Sequence, residues 1–282
     1  MISGTRYQLQ LEVNRQLRLS TEIARGQAEI SAGTRILAPS DDPVGAARVS
    51  DIARSQANQA TWKTNLKSAS ALAASADTAL ESLNNAFDRA GELMLQASNR
   101  TLSAENRNAI ALELQSIGEE VAILRDSRDS RGEPLFPAAG AAVRLPVGPG
   151  LEIDAVGTRD AIFDSVATPA GISNLSAIIN GALSAVQGGD PAAIAAALGA
   201  VNAGGSHVIA ARGEQGSRGA RIDTLLDRNE TLSLGLEEER SGVEGTDVQE
   251  VIARLQSKQL SLEAAQAVFA RINRSTLFDL LS

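Results

Sequence analysis

The residue types that perform most enzyme chemistry are scarce in this chain of 282 residues. It contains one histidine, His207, and no cysteine. A histidine-based zinc site or a Ser-His-Asp triad would therefore depend on His207 alone, which lies beside an Ala/Gly-rich segment. The absence of cysteine excludes disulfides and Cys-ligated metals. We interpret His207 as a structural residue.

Two further patterns resemble binding loops only superficially. Gly213, Gly216 and Gly219 recur every three residues, a spacing that matches neither the dinucleotide-binding pattern nor the P-loop. Asp126 and Asp129 lack the alternate-residue spacing and the closing Glu of a calcium loop. Carboxylates elsewhere form a scattered polar face. The sequence therefore predicts no catalytic, cofactor-binding or metal-binding residues, no cofactor and no enzyme activity.

Composition excludes several classes of partner. The net charge is −8, from 34 acidic and 26 basic residues, and aromatics make up 2% of the chain. Basic residues form no long run and aromatics are too few for base stacking, so we expect no nucleic-acid binding. No apolar stretch approaches the roughly 20 residues that cross a bilayer, so we expect no membrane insertion. The N-terminus lacks the continuous apolar region of a Sec signal.

The elements that dominate the sequence are its two ends, residues 1–38 and 245–278, which carry a seven-residue apolar rhythm. On the N-terminal side only Gln16 breaks the series. This spacing keeps one face toward a partner helix in a left-handed supercoil, so we interpret both ends as assembly helices that pair with each other or with neighbouring chains. The predicted assembly residues, including two from the apolar C-terminal segment, are Ile2, Leu9, Ile23, Ile30, Val248, Leu255, Leu262, Phe269, Ile272, Leu277 and Phe278.

A turn is predicted between the first helix and the second. The first helix should end near Gly33, and Asp42 before Pro43 is a good N-cap followed by a first-turn proline. From there the apolar spacing predicts one helix to Asn99, on the order of 85 Å long at 1.5 Å per residue. The predicted turn residues are Arg35, Pro39, Asp41, Asp42 and Pro43.

The middle of the chain is less regular. Ser103 should cap a third helix, and short β-like pieces appear at residues 142–147, 151–156 and 160–166. Residues 172–203 are weakly helical in pattern, and a last long helix is predicted from about Gly213 to Arg240. Near the C-terminus, polar residues spaced by seven would either fix the register between helices or form a partly wet flank; these are Gln259, Gln266 and Asn273.

The predicted fold is mainly α: a long antiparallel helical rod or coiled coil formed by both chain ends, with a small β-containing insert in the middle. Five segments follow from this prediction. They are an N-terminal assembly helix and turn (1–42), a long helical arm (43–132), a variable insert with short strands and weak helices (133–204), a returning helical arm (205–244) and a C-terminal assembly helix (245–282).

Several of these residues also resemble a known family. Residues 33–36 (GTRI) followed by 39–43 (PSDDP) resemble the turn after the first helix of the bacterial flagellin superfamily. Residues 260–266 (LSLEAAQ) and 275–279 (STLFD) resemble its hook–filament junction branch. The resemblance covers roughly residues 1–136 and 205–282. It departs from the family at the opening Met1-Ile2-Ser3-Gly4-Thr5.

The resemblance implies a structural protein that joins hook to filament in a bacterial flagellum. It implies terminal helices packed in a tube wall, an outward-facing insert, and unfolded export through the flagellar type III apparatus with a cytoplasmic chaperone. The implied location is extracellular, without a cleaved Sec signal. The implied partners are a neighbouring hook-associated protein, flagellin and further copies in a ring. A filament flagellin is the alternative, and a coiled-coil scaffold or signalling protein is the third hypothesis.

Overall fold

Helices account for most of the protein, with two small strand pairs between them. The computed structural model describes residues 2–99, 101–141 and 144–279, and the side chains of residues 1–6, 8–9 and 272–279 lie outside that description. The helices are α1 (Ile2–Ala32), α2 (Pro43–Ala97), α3 (Ala104–Arg125), α4 (Leu175–Gly188), α5 (Pro191–Glu244) and α6 (Val248–Asp279). The strands are β1 (Arg144–Gly148), β2 (Leu151–Asp154), β3 (Val166–Thr168) and β4 (Gly171–Ser173). The predicted mainly helical fold class with a small strand-containing insert is confirmed.

The predicted helix starts follow from side-chain caps. Asp42 Oδ1 accepts a hydrogen bond from the backbone N–H of Gly45 at 2.8 Å, so α2 begins at Pro43. Ser103 Oγ accepts from the backbone N–H of Asn106 at 3.2 Å and caps α3. Each cap satisfies an amide that the helix itself leaves without a partner.

The last long helix begins earlier than the sequence indicates. Helix α5 starts at Pro191 rather than near Gly213, so the predicted segment boundary between residues 204 and 205 falls inside it. The Asp190 carboxylate caps this start by accepting from the amides of Ala192 and Ala193 at 3.3 and 3.1 Å. Alanine favours the helix but buries little area, which is why the apolar pattern of this half is weak.

The insert holds two separate antiparallel pairs, β1 with β2 and β3 with β4. The first pair matches the predicted strand pieces. The strand predicted over 160–166 is wrong over most of its length, because Asp160–Asp164 form one π-helical turn and β3 begins only at Val166. Ile162 and Phe163 are adjacent and both are buried, whereas a half-buried strand buries every second residue. The sequence alone does not distinguish these two cases. Strand β4 was not predicted.

The chain divides into two compact units. One comprises residues 1–57 and 233–282, which we call the terminal unit, and the other comprises residues 58–232, the central unit. The central unit has an extensive core contributed by α2 to α5 and the insert. In this core the rings of Phe136 and Phe163 pack edge to face, with 5.2 Å between their centroids. Among the described side chains of the terminal unit, the buried hydrophobic ones are Ile52, Val251 and Leu255. The terminal unit therefore has very little core of its own.

One described helix is more apolar than the sequence analysis allows. By length and composition α5 could cross a membrane, with a mean hydropathy of 1.4 over its most apolar 18 residues. The core helices of water-soluble proteins pass the same test, although they are mostly buried and only 22% of this stretch of α5 is buried. Here Ile194, Val201 and Val208 of α5 belong to the core of the central unit.

We predict that Gly204→Ala destabilises the central unit. A Cβ at this position would lie 2.4 Å from Cε1 of Phe87, whose ring is 2% exposed and has little room to move. Overpacking of this kind lowers the free energy of unfolding by roughly 1–3 kcal/mol, measurable by thermal or urea unfolding followed by circular dichroism.

The neighbouring Gly205→Ala is the matched control. Its Cβ would lie 3.9 Å from Phe87, an ordinary contact, so the substitution should stabilise the helix by roughly 0.5–1 kcal/mol. Equal stability of the two variants would contradict the close packing of Phe87 on Gly204.

Candidate assembly surface

The two ends of the chain form an antiparallel pair of helices, α1 with α6, in the terminal unit. Lys258 Nζ lies 2.7 Å from Glu22 Oε2, and Arg254 Nη1 lies 3.9 Å from Glu29 Oε2, so the numbering falls along one helix as it rises along the other. At the end of the pair Thr34 forms a β-bridge with Gly245. The two predicted assembly helices therefore contact each other within a single chain.

The contact face repeats every seven residues on both helices, at two positions per repeat. Buried and half-buried residues are separated by alternating steps of four and three, the spacing of a coiled-coil seam. On α1 these positions are Glu12, Gln16, Leu19, Ile23, Gly26 and Ile30. On α6 they are Val251, Leu255, Lys258, Leu262, Ala265 and Phe269.

The predicted assembly residues occupy one of the two positions in each repeat. Five of them lie on the contact face, namely Ile23, Ile30, Leu255, Leu262 and Phe269. Val248 is 42% exposed because it is the first residue of α6, with no preceding turn to cover it. The side chains of the remaining five lie outside the described residues; these are Ile2, Leu9, Ile272, Leu277 and Phe278.

Apart from Ile272, the predicted assembly residues do not include the second position of each repeat. On α1 it is occupied by Glu12, Leu19 and the buried Gly26, so an apolar series is hard to see there. A Cβ on Gly26 would lie 2.7 Å from Cδ2 of Leu255, so the absence of a side chain is what lets the two helices approach. The alternation of three and four residues, rather than seven alone, is the signal that identifies these positions.

A buried carboxylate connects the helix pair to the turn. Glu29 is 7% exposed and accepts from Arg25 Nε at 3.3 Å, while Arg254 of α6 lies on its other side. Arg25 also reaches Asp41 of the turn, with Nη2 2.9 Å from Oδ1. A charge that leaves water needs such partners, so Glu29 is stabilised only when α1, α6 and the turn are all in place.

The turn between α1 and α2 is held at both ends by its two aspartates. Asp41 Oδ2 accepts from the amides of Leu37 and Ala38 at 3.1 and 3.0 Å. Asp42 caps α2 and also accepts from Arg35 Nη2 at 2.9 Å. Gly33 ends α1 with φ of +69°, a conformation that a side chain disfavours. Pro39 and Pro43 are exposed.

Arg35 joins the turn to the connection between α5 and α6. Its backbone N–H donates to the carbonyl of Glu244 at 2.8 Å, and its Nε donates to the carbonyl of Val243 at 3.0 Å. The amide of Thr246 donates back to the carbonyl of Gly33 at 3.3 Å. Carbonyls at the C-terminus of a helix lack partners within it, and Arg35 supplies them for α5.

The outward faces of the helix pair carry large apolar side chains that the described residues leave largely uncovered. They are between 41% and 68% exposed. On α1 they are Tyr7, Leu11, Val13 and Leu17, and on α6 they are Ile252, Leu260 and Val268. We call these seven the outer apolar residues. An exposed series of this extent marks a surface for a protein partner.

The candidates for chemistry have structural partners. His207 Nε2 lies 3.0 Å from the carbonyl oxygen of Ala161 and 3.1 Å from that of Ile162, so it donates to the π-helical turn. Within the residues that the structure describes, no group of three or more His, Cys, Asp and Glu side chains could hold a metal ion. The described surface is therefore suited to apolar contacts between helices.

Comparison with known proteins finds a family match in the N-terminal half of the chain and a relative that covers most of it. Residues 6–139 match the bacterial flagellin N-terminal helical region. The chain is 25% identical over 287 residues to flagellar hook-associated protein 3 of Escherichia coli K12, an alignment that covers 89% of this chain and 90% of that protein.

Solved structures share its fold. FlgL of Xanthomonas campestris superposes with a TM-score of 0.60 at 14% identity, covering 67% of this chain and 99% of that one. The flagellar junction protein FlgL of Legionella pneumophila superposes with a TM-score of 0.57 at 12% identity, covering 69% of this chain and 100% of that one.

We predict that the turn opens in acid. The backbone N–H of Ala38, with Arg25 nearby, lowers the pKa of Asp41 from its unperturbed 3.8, and the N–H of Gly45, with Arg35, lowers the pKa of Asp42 in the same way. A carboxyl whose pKa falls on folding stabilises the fold above pH 3.8, and this stabilisation disappears as the pH falls through the folded pKa. The protection of the Ala38 and Gly45 amides, measured by NMR from their exchange relative to the intrinsic rate at each pH from 6 to 2.5, should therefore fall below about pH 4.

The double variant D41N/D42N should lose this acid transition, because it removes both titrating groups. D51N, on the exposed face of α2, is the control and should keep it. A wild-type turn whose two amides exchange at the same intrinsic-corrected rate throughout this range would contradict the prediction.

Proposed function

From the premise that this chain is a member of the bacterial flagellin superfamily with the fold of hook-associated protein 3, we propose that it joins hook to filament in a bacterial flagellum. Its role is structural, in keeping with the family to which its relatives belong. The paired terminal helices are the surface through which it assembles. The outer apolar residues are the observation that carries this proposal.

The physical argument rests on the small core of the terminal unit. Two helices alone bury one narrow face each, and here that face holds few fully buried side chains. Neighbouring helices that cover the outer apolar residues would bury further area at about 25 cal/mol per Å². The assembled state is therefore the one in which the terminal unit is most stable.

The same surface would bind the proposed partners. We propose that further copies of the chain pack side by side in a ring, and that a neighbouring hook-associated protein and flagellin contact the ring on its two sides. The predicted assembly residues on the α1–α6 contact face fix the pair. The predicted turn residues, with Arg35 contacting Val243 and Glu244, fix where the pair joins the rest of the terminal unit.

Export in an unfolded state is the second part of the proposal. The chain has no cysteine, so no disulfide has to form or break during passage. A cytoplasmic chaperone would cover the apolar faces of α1 and α6 before export, and the protein would act outside the cell without a cleaved Sec signal.

The other hypotheses receive less support. A filament flagellin would share the N-terminal helical region, but the named relatives and structural neighbours are hook-associated proteins. A coiled-coil scaffold would account for the paired termini but not for this fold. Catalysis is not part of the proposal, since His207 is committed to the π-helical turn.

We predict that cells lacking this gene make hooks without attached filaments and shed flagellin into the medium. Electron microscopy of hooks and immunoblotting of the medium measure both outcomes. The wild-type gene should restore filaments, whereas L17Q/L260Q should not. These substitutions place amides on the two outward faces, where Leu17 is 61% and Leu260 68% exposed, and amides resist burial in an interface.

The matched control is L112Q/I123Q on α3, where the two side chains are 68% and 71% exposed. It replaces two exposed apolar side chains with amides outside the terminal unit, and it should restore filaments. Normal filaments in the deletion strain would contradict the junction role. Full rescue by L17Q/L260Q would contradict the use of the outer apolar residues.

A further inference from the structure

Helix α5 carries a strict seven-residue repeat that includes two buried amides. Its deepest positions through the central unit recur at Ile194, Val201, Val208, Gln215, Ile222 and Asn229. Gln215 is 2% exposed and Asn229 is 4% exposed, so both amides have left water as fully as their apolar neighbours. Buried amides at such positions are the usual means by which paired helices select one register.

Each amide reaches a backbone carbonyl of α2. Asn229 Nδ2 donates to the carbonyl of Gln59 at 3.2 Å and to its side-chain Oε1 at 2.6 Å. Gln215 Nε2 lies 3.5 Å from the carbonyl of Ala73 and donates to that of Ala155, just after β2, at 2.9 Å. The two donors are two repeats apart on α5, and their acceptors are two repeats apart on α2.

The residues between these contacts penalise other alignments. Because α2 and α5 run antiparallel, the same spacing places Leu66 level with Ile222 and Leu80 level with Val208. Sliding α5 by one repeat would set Gln215 level with Leu66 or Leu80. Both leucines are fully buried, so the amide would lose the Ala155 carbonyl and would meet a large apolar side chain in place of Ala73.

The hydrogen bonding of the amides favours a role in alignment over one in stability. Gln215 Oε1 and Asn229 Oδ1 have no hydrogen-bond partner among the described residues, although each residue lines a recess, of about 140 and 240 Å³ respectively, that could admit water. A half-satisfied buried amide stabilises a fold less than an apolar residue of similar volume.

We propose that Gln215 and Asn229 form a two-point register lock between α2 and α5. The lock selects the one alignment in which Asn229 meets the Gln59 side chain and Gln215 meets the Ala155 carbonyl, and through Ala155 it also fixes the level of the β1–β2 pair on these helices. The lock does not depend on the proposed flagellar role, since it concerns how the central unit folds.

The test measures the alignment of α2 and α5 directly. The chain contains no cysteine, so S75C/T224C introduces the only two sites for spin labels, at exposed positions offset along the helix pair. A slip of one repeat moves the labels by about 10 Å along the axis. Pulsed electron–electron double resonance, which measures the distance between the two spin labels, should give one narrow distance peak for this labelled protein.

In the Q215M/N229L background we expect a second, resolved peak, displaced by less than the roughly 10 Å axial slip because the labels are also separated across the helix pair, with unchanged helix content by circular dichroism. Ile222→Leu, which conserves volume between the two amides, is the control and should keep the single peak. A single unshifted peak in Q215M/N229L would overturn the proposal. Loss of helix in that variant would overturn it too, because the amides would then serve stability rather than alignment.

Discussion

The constraint on which the rest of the structure depends is that two helices cannot bury all of their apolar surface against each other. In the terminal unit the contact face of α1 and α6 accounts for one side of each helix, and large apolar side chains remain outside it. Helices in water are stabilised mainly by the burial of such faces. A chain built in this way is incomplete until neighbours cover it, which suits a subunit better than an independent protein.

Electrostatics and caps determine where the helix pair is held. Glu29 is buried only because Arg25 and Arg254 flank it, and Arg25 extends the same network to Asp41 in the turn. Arg35 then contacts the end of α5. These contacts join α1, α6, the turn and the end of α5 into one unit, so the ends of the chain are placed by specific polar contacts while their apolar faces stay available.

The sequence predicts most of the helical architecture because its signals are local. Asp42 before Pro43, Ser103, and the spacing of Ile23, Leu255 and Leu262 each identify a cap or a face from neighbouring residues alone. Less could be predicted where side chains are small or polar. The early start of α5 lies in a segment rich in alanine and glycine, which gives a weak apolar pattern. Gly26 has no apolar side chain, so its place on the contact face is known only from the packing of the two helices.

Polar residues at buried positions show the same limit. For Gln259, Gln266 and Asn273 the sequence leaves open a register role or a partly wet flank. Gln259 and Gln266 are exposed in the described part of α6, and the Asn273 side chain lies outside it. The buried amides are Gln215 and Asn229 of α5, where the sequence shows only polar residues interrupting an apolar series. Burial of an amide depends on an acceptor from another helix, which sequence spacing does not report.

The most direct test of the central claim is hydrogen exchange of α1 and α6, compared by mass spectrometry between purified monomer and intact hook–filament preparations. We predict fast exchange in the monomer, through local opening of a unit with little core, and strong protection after assembly. Protection of both helices in the monomer equal to that of the central unit would contradict the claim that their stability depends on neighbouring subunits.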